Sequence, residues 1–407
     1  MKHKILTLTA ATLAFALAFT ACGNSSSDEP EAGETTGEPV LENTPADTSD
    51  DTSADTSADT ITLSDTNSEV TLTAGGTYRL TGSTSDGMVT VDAGESDVTL
   101  ILSDLAIGNP DSAAIYVKSA GQVTITLEGE NVLTNNGTFE MIGDEEVDAV
   151  IYCKTDLVMN GDGTIEVDSA SGSAIVCKDA MTVESGVYDL AVGEDGINTN
   201  DSLTITGGVF NIDAGDDAIH TDGILTVEAG VYDMTAAEGM EATIIYINDG
   251  DITIEASDDG INAAQKNEEL TPYLEINGGT ISVTMAAGDT DAIDVNGNIV
   301  INDGTIMIEG QSAFDYDGTV EYNGGTITVN GEVVETISNQ FEGQMPGGMQ
   351  GMEGIQGMEG MDGQQPPEGM TPPEGFDGQT PPERPDGQMP QPGEAFSTDM
   401  SESETEA

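Results

Sequence analysis

The stretch Ala214–Glu238, AGDDAIHTDGILTVEAGVYDMTAAE, decides the reading of the chain. An acidic pair, Asp216 and Asp217, leads into a small residue, then Ile219, then the polar His220. Two runs follow, ILTVEA and VYDMTA, in which apolar and polar residues alternate. Alternation at period two is the mark of a strand with one face buried. A Gly separates the runs, and the next acidic cluster begins at Glu238.

The unit recurs. Aligned on the residue pair before the Ile position, copies begin at Ser173, Asp195, Asp217, Gly239, Asp259, Asp291 and Ala313. The steps are 22, 22, 22, 20, 32 and 22 residues, the long one holding an extra loop at Ala263–Pro272. About 22 residues suffice for three short strands and three turns, one coil of a parallel β-helix. The same order continues more loosely upstream, so the array is expected from about residue 61 to 335. Stacked coils set each residue about 4.8 Å above its equivalent. Ile175, Ile197, Ile219, Ile261 and Ile293 then form one inward ladder. Tyr188, Phe210 and Tyr232 form another, read as core because the phase matches Ile281, Ile306 and Ile327. Cys153 and Cys177 fall at one position shared with Thr199 and Thr221, read as small thiols in a core column.

The flanks differ in composition. Residues 1–22 carry Lys2 and Lys4, then an apolar run to Ala21, the pattern of a secretory signal. FTAC at Phe19–Cys22 resembles a bacterial lipobox, which implies lipidation at Cys22 and an extracellular protein anchored to the bacterial membrane surface. Residues 23–60 are Ser, Thr, Asp, Glu, Pro and Ala, too polar to offset their ordering entropy and expected to be a tether. Residues 336–407 are rich in Gly, Met, Pro, Gln and Glu without apolar periodicity, expected to be disordered. Of 407 residues, 76 are acidic and 8 basic, for a net charge of −68. That balance argues against nucleic acid, whose phosphates need a basic face, and for cations as partners.

The acidic residues recur at one edge of successive copies: Glu194 and Asp195, Asp216 and Asp217, Glu238, Asp258 and Asp259, Asp289 and Asp291. At roughly 5 Å and an effective dielectric of about 20, each stacked pair costs on the order of 3 kcal/mol. A hard cation relieves such a ladder, and Ca²⁺ takes six to eight oxygens in flexible geometry. The residue after the Ile position adds Asn262 and Asp294 to the candidate ligands. Glu241 and Asp315 are read as standing where other copies place the inward Ile, a position where a carboxylate needs a metal or a partner. Transition metals are not expected, His220 being the one histidine of the array. Lys118, Lys154 and Lys178 share a repeat position, a column that either holds the carboxylates of an acidic sugar or balances charge locally.

The pieces GEDGINTNDSLTITGG, GDDAIHTDGILTVEAG, AEGMEATIIYINDGDITIEASDDGINAA, YLEINGGTISV and SAFDYDGTVEYNGGTITVNG resemble the clostridial cellulose- and pectin-binding β-helix domains, secreted carbohydrate-binding proteins. The resemblance covers roughly residues 149–334. It implies a right-handed parallel β-helix similar to polysaccharide lyases, bound Ca²⁺ and affinity for plant cell-wall polysaccharide. Three functions compete: calcium-dependent, non-catalytic polysaccharide binding; an enzyme on the same fold; and a structural adhesin. A lyase needs a Lys or Arg base, with Lys178 and Lys266 the candidates. A hydrolase needs paired carboxylates, with Asp216 and Asp217 the candidates. The absence of Trp disfavours a flat aromatic platform, so an acidic glycan bridged through Ca²⁺ suits the surface best.

Overall fold

A computed structural model describes residues 58–288 and 290–339. Cys22, Asp289, the signal segment, nearly all of the 23–60 stretch and most of the 336–407 stretch lie outside these residues. The described residues contain strands and turns and no helix. Strands run from Asp59–Leu63 to Glu332–Val334, and successive coils pair in parallel. The one antiparallel strand pair closes the array, Glu332–Val334 folding back on Thr326–Val329. The architecture is an all-β parallel solenoid.

A coil is three short strands. In one copy these are Ser173–Cys177, Ala180–Val183 and Val187–Val192. The third strand alternates exposed and buried residues throughout, as its sequence alternation requires. Ile175, Ile197 and Ile219 stack in register and are fully buried. Tyr188, Phe210 and Tyr232 stack with centroids 4.9 and 4.8 Å apart and planes within 8°. They are core, and the column continues through Ile252 and Ile281 to Ile306 and Ile327. Each tyrosine hydroxyl still finds an acceptor, Tyr188 Oη donating to Ser185 O and Tyr232 Oη to Ala229 O, both at 2.8 Å. Cys153 and Cys177 pair in register as buried free thiols, and both donate to Thr155 O.

The register corrects the reading at two positions. Ile219 pairs with Met240, 21 residues on, and Ile293 pairs with Phe314, again 21 residues on. Met240 and Phe314 therefore fill the inward Ile column. Glu241 and Asp315 lie one place later, opposite His220 and Asp294, in the outward column. The constant 22-residue step misplaced them, because one residue deleted from a turn shifts every later side chain to the other face.

Turn glycines keep the coils close. Gly230 (φ +131°) precedes the third strand in the left-handed region, where a Cβ is strained. At Gly223 a Cβ would lie 1.7 Å from Asp201 O. An asparagine ladder ties another edge: Asn277 Nδ2 donates to Asn248 Oδ1 (2.9 Å), Asn302 to Asn277 (2.7 Å) and Asn323 to Asn302 (2.9 Å).

Truncating the middle ring of the aromatic stack removes contacts on both sides at once. Phe210→Ala is expected to cost about 3–5 kcal/mol, whereas Val209→Ala on the exposed face should stay within about 0.5 kcal/mol. Urea unfolding of the two variants beside the parent checks the contrast.

Candidate functional site

The outward residue of each first strand forms a single column up the solenoid. In register it reads Tyr116, Tyr152, Val176, Asn198, His220, Glu241, Asn262, Asp294 and Asp315. One face thus passes from aromatic to acidic within the same sheet. At its aromatic end Tyr116 and Tyr152 lie 6.1 Å apart in a small apolar cluster with Val147 and Val176. Beside this column runs a second one at the entrance to each first strand: Ser173, Asp195, Asp217, Glu238, Asp259, Asp291 and Ser312.

Several of the expected ligands meet here. Asp195, Asp217, Glu241 and Asn262 are buried. His220 Nδ1 lies 2.8 Å from both Asp217 Oδ2 and Glu241 Oε2, and its Nε2 lies 3.3 Å from Asp222 Oδ1. Lys266 reaches over from the inserted loop to Glu241 Oε1 at 2.6 Å. Asn262 Nδ2 donates to Glu238 Oε2 (2.9 Å) and Glu241 Oε1 (3.1 Å). Asn198 Nδ2 donates to Asp195 Oδ2 at 2.7 Å. Glu194, Asp216 and Asp258, by contrast, are exposed.

The backbone also helps. The N–H of Asp217 donates to Asp195 Oδ1, and that of Asp291 to Asp259 Oδ1, both at 3.1 Å. A carboxylate in one coil is thus capped by the amide of the acidic residue stacked above it. Hydrogen bonds to an ionised acceptor are stronger than neutral ones, so part of the like-charge repulsion is absorbed within the chain.

The electrostatics divide the column in two. Burial opposes the charge on His220, but hydrogen bonds to Asp217 and Glu241 prevail and raise its pKa to about 10. Burial likewise opposes ionisation of Glu241, yet hydrogen bonds from His220 and Lys266 lower its pKa to about 2. Glu238, buried beside Glu241 and Asp217, is pushed up to about 8, and Asp217 by burial to about 6. This half carries its own cations. Asp217, His220 and Glu241 also bring ligand atoms within 4.8 Å of one another. A protonated imidazole between two carboxylates offers no lone pair to a metal, so that trio is an ion cluster at neutral pH.

The next coils are different. Burial, with the charges of Asp259, Asp315 and Asp291, lifts Asp294 to about 7. Asp259 is lifted to about 6, by burial first and by Asp258 and Asp291. No basic side chain acts on either acid. Between the two halves stands Asn262, whose Oδ1 is buried without a hydrogen-bond partner. A buried amide oxygen left unpaired beside raised carboxylates is a donor set that fits a hard, oxygen-seeking cation.

The lysine column disperses. Lys118 Nζ pairs with Asp92 at 2.6 Å, Lys154 pairs with Glu145, and Lys178 sits 5.5 Å from the Tyr152 ring centre. Among the described residues Lys178 makes no ion pair. Lys266, despite its burial, is raised by Glu241 and held protonated, the opposite of what a catalytic base requires. Sequence reasoning had His220 only as a column residue and Lys266 only as a base. The signal available for Lys266 was its place in the one long insertion, four residues beyond Asn262.

The solenoid and its polar column define a class, a β-solenoid carrying a ligand-binding edge. The family model described as carbohydrate-binding domain-containing protein matches residues 66–243 and 218–340, and the chain belongs to that family. A relative of the same description from Acetivibrio thermocellus is 30% identical over 182 residues, 44% of this chain and 62% of the relative's length. The chain thus matches less than two thirds of that relative. A solved structure described as the polysaccharide lyase-like protein from C. thermocellum, a gadolinium derivative, is 25% identical with a TM-score of 0.39, over 65% of this chain and 88% of that one.

Acids whose pKa is raised by folding hold their protons in the native state, so their ionisation opposes folding. With ordinary values of 3.8 for Asp and 4.5 for Glu, the contributions of Asp217, Asp259, Asp294 and Glu238 fall as pH rises from about 4 to 8. The contribution of His220 is full below 6.5 and is lost as pH rises through about 10. Melting in chelator should therefore move to lower temperature from pH 4 upwards, and Asp294→Asn should flatten the curve between pH 4 and 7. Calorimetry across that range tests both.

Proposed function

We propose that this protein binds polysaccharide outside the cell, tethered to the bacterial membrane surface by lipid on Cys22, and that binding depends on Ca²⁺. Membership of the carbohydrate-binding family supports the ligand class. The single observation that carries the calcium reading is Asn262: its buried Oδ1 has no partner, and it stands in register between Glu241 and Asp294. Asn262, Asp259, Asp294 and Asp315 would hold the ion, with Asp291 beside them. The ion would neutralise carboxylates that no basic side chain offsets, and its remaining coordination positions suit the carboxylates of an acidic glycan. Polygalacturonate of the plant cell wall is the substrate class that matches this chemistry; cellulose is the neutral alternative. The ion pairs of Lys118, Lys154 and Lys266 favour binding over catalysis, since each lysine is occupied as a counter-charge.

Incubation of the protein with immobilised polygalacturonate, in Ca²⁺ and in chelator, tests the reading. Retention in Ca²⁺ alone, without unsaturated or reducing products, is the expected result. New products would mean an enzyme, and retention that ignores chelator would remove the ion from the account. Asp294→Asn is expected to weaken Ca²⁺ binding at least tenfold by isothermal titration, because it deletes one charge from the ligand set while leaving the core intact.

A further inference from the structure

A groove runs up the edge where the third strands end, before the acidic turns. Two depressions of about 410 and 350 Å³ share Thr284, Met285 and Ala286 and are continuous with each other. The floor is a column in register, Ala214, Ala236, Ala256 and Met285, continued by Gly310. Four steps at about 4.8 Å give a length of roughly 19 Å. Small floor residues leave the backbone accessible, and the backbone there is stiff: Ala237 N–H donates to Asp216 O and Ala286 N–H to Ala256 O, both at 2.8 Å.

The rim supplies the chemistry. Thr235, Glu255, Ser257, Thr284, Glu309 and Gln311 line it. None of these six side chains makes a hydrogen bond or ion pair among the described residues. The contrast with the rest of the solenoid is sharp. The asparagine ladder and the His220 column spend their polar atoms on each other, whereas here a row of donors and acceptors is unspent along a channel.

We propose that this groove seats one extended, uncharged polysaccharide chain, its axis along the solenoid. A linear chain of hexopyranoses advances by about the same distance as one coil, so each sugar meets the same pattern at each step: a small floor residue under its C–H face, and a hydroxyl or carboxylate at its edge. Sugar hydroxyls donate to Glu255 and Glu309, and Thr235, Ser257 and Thr284 serve as donors or acceptors. The only charges in the groove are negative, which excludes a uronate unless a cation intervenes. The groove therefore selects a neutral glycan, while the ionic column on the far side of the Asp216–Asp217 and Asp258–Asp259 turns suits an acidic one. The inference rests on the polysaccharide-binding reading but not on calcium.

The test uses the full chain, with cellohexaose and mannohexaose titrated calorimetrically in chelator. Ser257→Trp and Ala286→Trp fill the groove from exposed positions, and Glu255→Gln with Glu309→Gln removes the acceptor charges without changing shape. Binding by the parent, weakened at least tenfold by either Trp variant and severalfold by the double Gln variant, is the expected result. Met307→Ala, on the outer face of the same sheet, should bind as the parent does. If the parent binds neither oligosaccharide, or if the Trp and Gln variants bind as it does, the groove assignment is overturned. Retention on polygalacturonate in Ca²⁺, measured with the same proteins, reports separately on the ionic column, so loss of one activity is distinguishable from loss of the other.

Discussion

Parallel stacking in register is the constraint from which the rest of this molecule follows. Each residue sits about 4.8 Å from its equivalent in the next coil, so like meets like along the whole array. Inside, this is favourable without further provision. Isoleucines pack on isoleucines, and Tyr188, Phe210 and Tyr232 lie nearly coplanar at van der Waals distance. Outside, the same rule forces polar residues into columns, and a column of carboxylates is a column of repulsion.

The chain meets that repulsion in different ways at different heights. Asp195 and Asp259 accept backbone amides from the coil above. Asn198 and Asn262 interpose amide donors. His220 and Lys266 bring positive charge, and the short separations around Glu241 make that the most tightly held acid of the column. Buried ion pairs of this kind add less stability than their distances suggest, because each partner is stripped of water. Their removal one partner at a time is what costs. Above Asn262 the supply of internal cations stops while the carboxylates continue. The asymmetry between the two halves, rather than the total acidity, locates the chemistry.

The insertion at residues 263–272 shows how one loop reshapes such a site. Elsewhere the turn after a first strand is tight, and the outward column faces solvent. Here the extra residues let Lys266 fold back over the acid stacked below, with its N–H and that of Asn267 anchored on Thr243 Oγ1 at 3.0 and 2.9 Å. A buried threonine therefore fixes the base of the loop, and the loop fixes the lysine. None of these residues is unusual alone. Their joint effect depends on two coils being adjacent in space while 23 residues apart in sequence.

The solenoid, its core ladders and the column shared by Cys153, Cys177, Thr199 and Thr221 were legible in the sequence, because period two and a step near 22 residues are consequences of strand geometry that no tertiary contact needs to supply. The acidic edge was legible for the same reason. The phase of Glu241 and Asp315 was not: a coil one residue shorter is invisible in composition, and only pairing of Met240 with Ile219 and Phe314 with Ile293 revealed it. Nor did the sequence say which acids are neutralised. Charge relief depends on distances of a few ångströms between side chains from different coils, and on how deeply each is buried. So the sequence by itself determined that carboxylates stack. The tertiary structure alone decided that His220 and Lys266 occupy one half of that stack, that Asn262 Oδ1 is left unpaired at the boundary, and that the unspent polar groups of the neighbouring edge line a groove.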